Sequence, residues 1–264
     1  MKKTLTLAGS DSSGGAGIQA DLKTFQEHAV YGMTALTSIV SMEPEDWSHQ
    51  VTPIEVNTVE KQLKTILSVG IDAMKTGMLG TVDIIELGAR EIKANGIDKV
   101  VIDPVMVCKG EDEVLQPENT DAMRALLLPL ATITTPNLFE AGQLAQTGPI
   151  KTIDGMKQAA EKIISLGAQN VVIKGGKALD HEKAVDLFYD GNEHVLLESE
   201  KVDTTYTHGA GCTFAAAVTA NLANGKTVKE SVMAAKDFVH AAIKHGWKLN
   251  EFVGPVKHGA YNEQ

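Results

Sequence analysis

Short runs of β-branched and aliphatic residues alternate along this chain with stretches whose apolar residues recur every three or four positions. The first pattern is typical of buried strands, and the second is typical of helices that pack one face against a core. The runs predict strands at Lys3–Ala8, Tyr31–Met42, Ala73–Thr76, Val100–Ile102, Thr132–Thr135 and Val171–Lys174. The stretches between them predict helices at Gly17–Glu27, Glu55–Leu67, Val82–Asn95, Thr120–Leu128, Phe139–Gln146 and Thr152–Leu166.

The pattern changes after Lys174. Ala184–Tyr189 and His194–Glu198 flank the turn sequence Asp190–Asn192, which predicts an antiparallel hairpin, and helices are predicted at Gly211–Asn224 and Thr227–Lys244. This order predicts an α/β fold with a mostly parallel central sheet, helices on both faces and a C-terminal antiparallel edge hairpin. A chain of 264 residues is expected to form a single domain, residues 1–264.

Composition excludes several classes of function. The net charge of -10, without any basic run, argues against a nucleic-acid partner. No apolar run approaches the roughly 20 residues that cross a membrane, and the apolar stretch after Met1 ends too early for a signal peptide. The chain has 2 cysteines, far apart and without zinc-like spacing, so we expect no disulfide and a cytoplasmic location.

Ligands of open α/β sheets bind beyond the carboxyl ends of the strands. Five polar or glycine-containing segments fall at such ends: Gly9–Asp11, Lys75–Met78, Asp103–Val105, Thr135–Asn137 and Lys174–Gly176. One cleft is therefore predicted to collect them.

The glycine-rich segment after the first strand, Gly14–Asp21, has three interpretations. Gly15, Gly17 and Ala20 satisfy the spacing of a dinucleotide fingerprint, but the loop before them is longer and more polar than that motif requires. A turn capped by Asp11 or Ser12 is a second interpretation. A loop on the substrate side of the cleft is the third, and we favour it.

Oxygen ligands near the ends of two strands predict a magnesium site. Asn137 and Glu140 lie one helical turn apart, and Asp103 ends another strand. Mg²⁺ prefers such hard ligands and keeps several of its waters. For Asn137 alone, the cap of a helix is an equally good explanation.

Two further features predict phosphate binding. Lys174 ends a buried strand and can reach a phosphate as a point charge, although a solvated lysine is the simpler alternative; Lys236 is a weaker candidate. Gly209–Cys212 opens a helix, where backbone N–H groups bind anions and a thiol pKa is lowered. Cys212 is therefore predicted to be a general base, the alternative being a buried cysteine in an alanine-rich helix.

Six motifs in this order resemble the hydroxymethylpyrimidine (phosphate) kinases of the ribokinase superfamily, and they span nearly the whole chain. They are Gly9–Asp21, Lys75–Leu79, Asp103–Met106, Thr135–Ala141, Lys174–Gly176 and His208–Thr213.

The resemblance implies a ribokinase-like fold and transfer of phosphate from ATP, with Mg²⁺, to a hydroxymethyl group on a small aromatic heterocycle. It also implies a homodimer and assigns roles to individual residues. The catalytic base would be Cys212, with the anion hole formed by Gly209, Ala210 and Gly211, and the metal site by Asn137, Glu140 and Asp103. The nucleotide would contact Lys174, Gly176, Thr213 and Lys236, and the substrate Gly9, Asp21, Met42, Met78, Val105 and His208.

Two departures from the family pattern bear on the substrate. Met42 stands where the pyrimidine kinases usually carry a glutamine that hydrogen-bonds the substrate, so an aminopyrimidine would lose that partner. Cys108 stands where they usually have a small inert residue, in a segment near 106–118 that is predicted to be a lid. Both changes are found in a subgroup of similar pyridoxal kinases.

The resemblance therefore implies ATP-dependent phosphorylation of the 5'-hydroxymethyl group of pyridoxal, and of pyridoxine and pyridoxamine, in salvage of pyridoxal phosphate. Hydroxymethylpyrimidine (phosphate) kinase is the main alternative. A non-catalytic binder of nucleotide or vitamer is less consistent with an intact metal site and base, and an NAD-dependent oxidoreductase is weaker still.

The predicted role of Cys108 is covalent, because a thiol adds reversibly to the aldehyde of pyridoxal to form a hemithioacetal. We expect Cys108→Ala to reduce pyridoxal turnover more than turnover of pyridoxine, which has no aldehyde. Steady-state kinetics with both vitamers measure this difference. An equal loss for the two substrates would leave Cys108 as a lid residue without a chemical role.

Overall fold

The computed structural model describes residues 1–106 and 117–263. Cys108 and most of the lid predicted near 106–118 lie outside the described residues. The strands of the described part are β1 (Lys3–Asp11), β2 (Tyr31–Met42), β3 (His49–Pro53), β4 (Ala73–Thr76), β5 (Val100–Ile102), β6 (Ile133–Thr134), β7 (Val171–Lys174), β8 (Ala184–Tyr189) and β9 (His194–Ser199).

Helices follow most of these strands. They are α1 (Gly17–Glu27), α2 (Val56–Ser68), α3 (Val82–Ala94), α4 (Pro117–Ala122), α5 (Leu138–Ala145), α6 (Ile153–Ser165), α7 (Ala210–Ala223) and α8 (Val228–Lys244). A π-helical turn (Met123–Leu127) and a 3₁₀ turn (Leu128–Leu130) continue α4, and a second 3₁₀ turn (His258–Tyr261) lies near the C-terminus.

All nine strands join one sheet in the order β3-β2-β1-β4-β5-β6-β7-β8-β9. The pairs from β2 to β7 are parallel, whereas β3, β8 and β9 pair antiparallel at the two edges. The predicted α/β fold with a C-terminal edge hairpin is confirmed. β3 was not predicted, because its residues are mostly exposed and include Pro53.

The central strands of the sheet are buried on both faces, as alternating residues of β5 show. Val100 and Ile102 of β5 belong to the core beneath α2, α3, α5 and α6, whereas Val101 belongs to the core beneath α7 and α8. Successive side chains of a strand point to opposite faces, so such a strand must be apolar throughout. The small side chains of α7, among them Ala216 and Ala220, pack against Phe25 of α1.

None of the helices in the described part of the chain is long and apolar enough to span a membrane.

Candidate active site

Two cavities lie side by side at the carboxyl ends of the parallel strands. The smaller has a volume of about 400 Å³ and the larger about 870 Å³. Residues that line both are Asn137, Lys174, Thr207, Ala210 and Gly211. A group bound in one cavity is thus adjacent to a group bound in the other, across the first turn of α7.

Most of the residues predicted to contact substrate do line the smaller cavity. These are Gly9, Met42, Met78, Val105 and His208. The predicted metal residues Asp103, Asn137 and Glu140 line it as well, as do Lys174 and the segment from Gly209 to Cys212. Strands β1, β2, β4 and β7 contribute residues, as does the segment that follows β5, which agrees with the predicted common cleft.

Two glycine-containing loops meet at one end of this cavity. Gly209 has φ +82, and a Cβ atom placed on it would lie 1.8 Å from the backbone oxygen of Gly15. Gly17 has φ +55, and a Cβ there would lie 2.4 Å from the backbone oxygen of Gly9. Positive φ and this close approach both require glycine at the two positions. Ala16 and Gly17 line the smaller cavity, as the substrate-side interpretation of this loop expects.

A hydrogen bond between Asp11 and His208 links the same two loops. His208 Nε2 lies 2.7 Å from Asp11 Oδ2, and both side chains are buried. A carboxylate can only accept, so Nε2 is the donor. Asp11 also accepts from the backbone N–H groups of Ser13 (2.8 Å) and Ala16 (2.8 Å). Burial alone would raise the pKa of Asp11, but the bonds from His208 and Ser13 lower it to about 2.

The N-terminus of α7 faces the boundary between the cavities. The N–H of Ala210 donates to the carbonyl of Thr207 at 3.1 Å, so this group of the predicted anion hole is already used. Gly211 and Cys212 lie in the first turn, where N–H groups lack intrahelical partners. A Cβ on Gly211 would be 3.5 Å from Lys174 Nζ. A lysine charge and a helix N-terminus thus coincide, which favours an anionic group.

The predicted lowering of the Cys212 pKa is wrong. Burial raises the pKa of the Cys212 thiol to about 12, and the nearby Lys75 ammonium and the Gly17 backbone N–H only partly oppose this effect. The side chain is half-buried and lines the smaller cavity. Loss of solvation outweighs the helix N-terminus here, because a thiolate is strongly stabilised by water.

Three ionisable groups form a cluster beneath the boundary: Lys174, Asp103 and Glu140. Lys174 Nζ lies 3.5 Å from Asp103 Oδ1, and both carboxyl groups are almost fully buried. Burial, together with the Asp103 charge, raises the pKa of Glu140 to about 7. Burial alone would lower the pKa of Lys174. The nearby charges of Asp103 and Glu140 outweigh this effect of burial and raise the pKa.

Asn137 is both a helix cap and a cavity residue, so the two alternatives for it are compatible. Its Oδ1 accepts from the N–H of Glu140 (2.9 Å), while Glu140 Oε2 accepts from the N–H of Asn137 (2.8 Å). This capping box fixes the first turn of α5. It holds the predicted metal-binding side chains in place before any ligand binds.

Asp21 and Thr213 do not lie where the resemblance placed them. Asp21 is fully buried beneath the smaller cavity and forms an ion pair with Lys75 (2.9 Å), and Lys75 is the partner that lines the cavity. The hydroxyl of Thr6 donates to the Asp21 carboxylate at 2.6 Å. Thr213 is fully buried, donates to the carbonyl of Gly209 (2.8 Å), and lines neither cavity. The polar groups of both side chains form hydrogen bonds within the fold.

The other predicted nucleotide contacts line the larger cavity. Gly176 lies there with φ +50, and Lys236 extends from α8 to Asp186 at 2.7 Å. Asp186 also accepts from the N–H of Gly175 (3.0 Å), so Lys236 is tied to the loop that follows β7.

Sequence patterns gave no individual role to His49 or Lys75, which also line the smaller cavity. His49 begins β3 and pairs in register with Met42, which brings it to the cavity edge. No sequence signal marks this strand, but the turn residues that follow Met42 are consistent with a hairpin. Lys75 was visible as part of the Lys75–Leu79 motif, yet nothing in the pattern distinguished it from a strand residue.

The chain is similar over its whole length to known kinases. A family model described as phosphomethylpyrimidine kinase matches residues 11–257. Pyridoxine kinase of Bacillus subtilis is 64% identical over 262 residues, which cover 98% of this chain and 97% of that protein. The structure of the pyridoxal kinase from Staphylococcus aureus in complex with AMP-PCP and pyridoxal superimposes with a TM-score of 0.95 at 58% identity, covering 99% of this chain and 95% of that chain.

A kinase for pyrimidines is more distant. Hydroxymethylpyrimidine/phosphomethylpyrimidine kinase of Bacillus subtilis is 41% identical over 261 residues, which cover 98% of this chain and 95% of that protein.

We expect His208→Ala to lower the free energy of unfolding at pH 7 by about 1–3 kcal/mol, because it removes a partner of the buried Asp11 carboxylate. The low pKa of Asp11, about 2, means that its bonds stabilise the fold above its unfolded pKa of 3.8 and lose this effect as pH falls through 2. The difference between variant and wild type should therefore shrink below about pH 4. Urea unfolding at several pH values measures it.

His245→Ala is the matched control, because that histidine is exposed at the end of α8. An equal loss of stability in the two variants would contradict a specific role for the bond between the loops.

Proposed function

The chain belongs to the phosphomethylpyrimidine kinase family, and we propose that it phosphorylates the 5'-hydroxymethyl group of pyridoxal with ATP. The observation that carries the proposal is the meeting of two cavities at the first turn of α7, where Lys174 and the N–H groups of Gly211 and Cys212 converge. A phosphoryl donor in the larger cavity and an acceptor in the smaller one would meet there.

Pyridoxal is favoured over a pyrimidine by two independent observations. The chain is more similar to a pyridoxine kinase and a pyridoxal kinase than to the pyrimidine kinase, at 64% and 58% against 41% identity. Met42 lines the smaller cavity, where its thioether accepts hydrogen bonds only weakly and donates none. An aminopyrimidine would leave polar groups unmatched against it, whereas a methyl-bearing pyridine packs there without that cost.

The chemical work of the site is positioning and neutralisation of charge, as phosphoryl transfer requires. The acceptor hydroxyl lies near Cys212, which takes its proton as the new P–O bond forms. Lys174 and the first-turn N–H groups of α7 bind the transferring group and stabilise its negative charge. Lys236 and the loop at Gly176 hold the rest of the nucleotide in the larger cavity.

The residues at the boundary are suited to Mg²⁺. Two nearly buried carboxyl groups, Asp103 and Glu140, face a single ammonium, that of Lys174, and the pKa of Glu140 is raised by burial first and by the Asp103 charge second. Asp103, Glu140 and Asn137 would hold the ion through its waters, since their oxygens are hard ligands. A bound Mg²⁺ would neutralise charge on the phosphates.

Other properties implied by the resemblance extend this proposal. Pyridoxine and pyridoxamine carry the same hydroxymethyl group and are expected to be substrates. Cys108 would bond to the aldehyde of pyridoxal alone. A homodimer in the cytoplasm remains the expected form of the enzyme.

We expect the wild-type protein to phosphorylate pyridoxal with a higher kcat/KM than hydroxymethylpyrimidine. Met42→Gln should raise the ratio of pyrimidine to pyridoxal kcat/KM by about tenfold or more, because glutamine supplies the missing polar partner. Steady-state ADP release with each substrate tests both expectations. Ile39→Gln on the exposed side of β2 is the control. Dominant turnover of hydroxymethylpyrimidine by the wild type would overturn the proposed function.

Glu140→Gln separates the charge of Glu140 from its capping role, because glutamine can still accept from the N–H of Asn137. We expect the Mg²⁺ concentration for half-maximal activity to rise by about tenfold or more.

The same variant has a second expected effect, on stability. The pKa of Glu140 is raised from 4.5 to about 7 in the folded protein. Its protonated side chain therefore contributes to the free energy of unfolding below pH 4.5, and this contribution is lost as pH rises through 7. In the absence of Mg²⁺, the thermal stability of the variant relative to wild type should therefore increase with pH over this range.

Glu230→Gln provides the control, since Glu230 holds the same position in the capping box of α8. A wild-type Mg²⁺ requirement in Glu140→Gln would exclude Glu140 from the metal site.

A further inference from the structure

A buried ion pair lies directly beneath the smaller cavity. Lys75 of β4 and Asp21 of α1 are both 0% exposed, and Lys75 Nζ lies 2.9 Å from Asp21 Oδ2 and 3.1 Å from Oδ1. Thr6 of β1 donates to Asp21 at 2.6 Å. Three elements of the fold therefore hold one ammonium group in a defined position.

Burying this ion pair has a large desolvation cost, so a contribution to the stability of the fold does not explain its presence. Removing two charges from water costs about as much as their attraction returns, and apolar residues of the same size often serve stability better. Asp21 lies outside the cavity lining, but Lys75 is part of it. Within the described part of the chain, Asp21 is the only hydrogen-bond partner of the Lys75 ammonium, which has three N–H donors.

Neighbouring residues also fix where the ammonium lies. A Cβ atom on Gly77 would be 3.2 Å from Lys75 Nζ and 2.8 Å from the Cβ of Ala8. The absence of a side chain at Gly77 thus leaves room for the lysine head group beside the substrate cavity.

Cys212 is the group that needs a nearby positive charge. Its thiol must be ionised to accept a proton, yet burial raises its pKa to about 12. Lys75, Asp103 and Lys174 line the smaller cavity together with Cys212, and Asp21 lies behind Lys75 as its ion-pair partner. Of these, Lys75 opposes the effect of burial most strongly, whereas Asp21 and Asp103 add to it.

We propose that Lys75, held by its ion pair with Asp21, supplies the positive charge that stabilises the Cys212 thiolate during phosphoryl transfer. Lys75 acts through Cys212 and is therefore a positioning residue for charge rather than a catalytic residue. The proposal rests on the proposed function, because it concerns the base of that reaction.

The proton and electron balance is simple. The Cys212 thiol releases its proton to water and leaves a thiolate beside the Lys75 ammonium. The thiolate takes the proton of the substrate hydroxyl, whose oxygen forms a bond to the γ-phosphorus of ATP while ADP leaves with the electrons of the broken P–O bond. Lys75 keeps its own proton throughout, because the neighbouring Asp21 carboxylate helps to raise its pKa despite burial.

The test uses Cys108→Ala as the background, since the chain has 2 cysteines and this change leaves Cys212 as the only thiol. The rate of alkylation by iodoacetamide, measured against pH, then reports the Cys212 thiolate alone. We expect Lys75→Met to shift this profile to higher pH by about one unit or more, and to lower kcat for pyridoxine by about tenfold or more, because a positive charge in the cavity that Cys212 lines is lost. KM for ATP should change by less than about threefold, because Lys75 lies outside the larger cavity.

The double variant Lys75→Met/Asp21→Asn is measured in parallel, because replacing both members of a buried pair is tolerated better than removing one. Thr6→Val is the matched control: it perturbs the same buried contact but leaves both charges, so its alkylation profile should stay close to that of the background. Asp21 itself raises the pKa of Cys212, so the double variant should show a smaller shift than Lys75→Met. A folded Lys75→Met variant with an unchanged alkylation profile and unchanged kcat would overturn the proposal, as would a double variant whose profile moves to lower pH. The alkylation profile is independent of turnover, so it tests Lys75 even if pyridoxal and pyridoxine prove not to be substrates.

Discussion

The close contact of two loops at the carboxyl end of the sheet is the constraint on which the site depends. Gly209 approaches the backbone of Gly15 so closely that a side chain cannot be accommodated, and the bond from His208 to Asp11 ties the loops together. This contact joins residues almost 200 positions apart. It places the N-terminus of α7, and with it Cys212, against the end of β1 and the smaller cavity.

Rigid backbone around the site allows the fold to keep several charges away from water. Lys75 and Asp21 form a fully buried pair, Lys174 is half-buried beside the buried Asp103, and Glu140 is nearly buried next to them. Electrostatic interactions are stronger in such a medium than in water, which helps a reaction whose main demand is neutralisation of phosphate charge. The same medium opposes ionisation of Cys212, so burial that strengthens interactions with phosphate charge also weakens the proposed base.

Local patterns predicted most of the architecture. The parallel strands are continuous apolar runs because both of their faces are covered, and the amphipathic helices have clear periodicity, so both kinds of element could be located. β3 could not, since an exposed edge strand with polar residues carries no such pattern. Its omission also hid His49, which reaches the smaller cavity only through pairing with Met42. The family and the kinase activity followed from motifs that keep their order and spacing, and the comparisons confirm both.

By itself, the sequence determined which chemical groups this site contains: the glycine loops, the first turn of α7, the carboxylate and amide oxygens, and the thioether of Met42. Only the tertiary structure decided what state those groups adopt. Asp21 and Thr213 occupy the expected positions in their motifs, yet in the folded protein their side chains form internal hydrogen bonds. Cys212 begins a helix, yet burial raises its pKa, and Lys75 gains importance only because the fold brings it near that thiol. Solvation and charge depend on distances in space between residues far apart in the chain, and local sequence does not encode those distances.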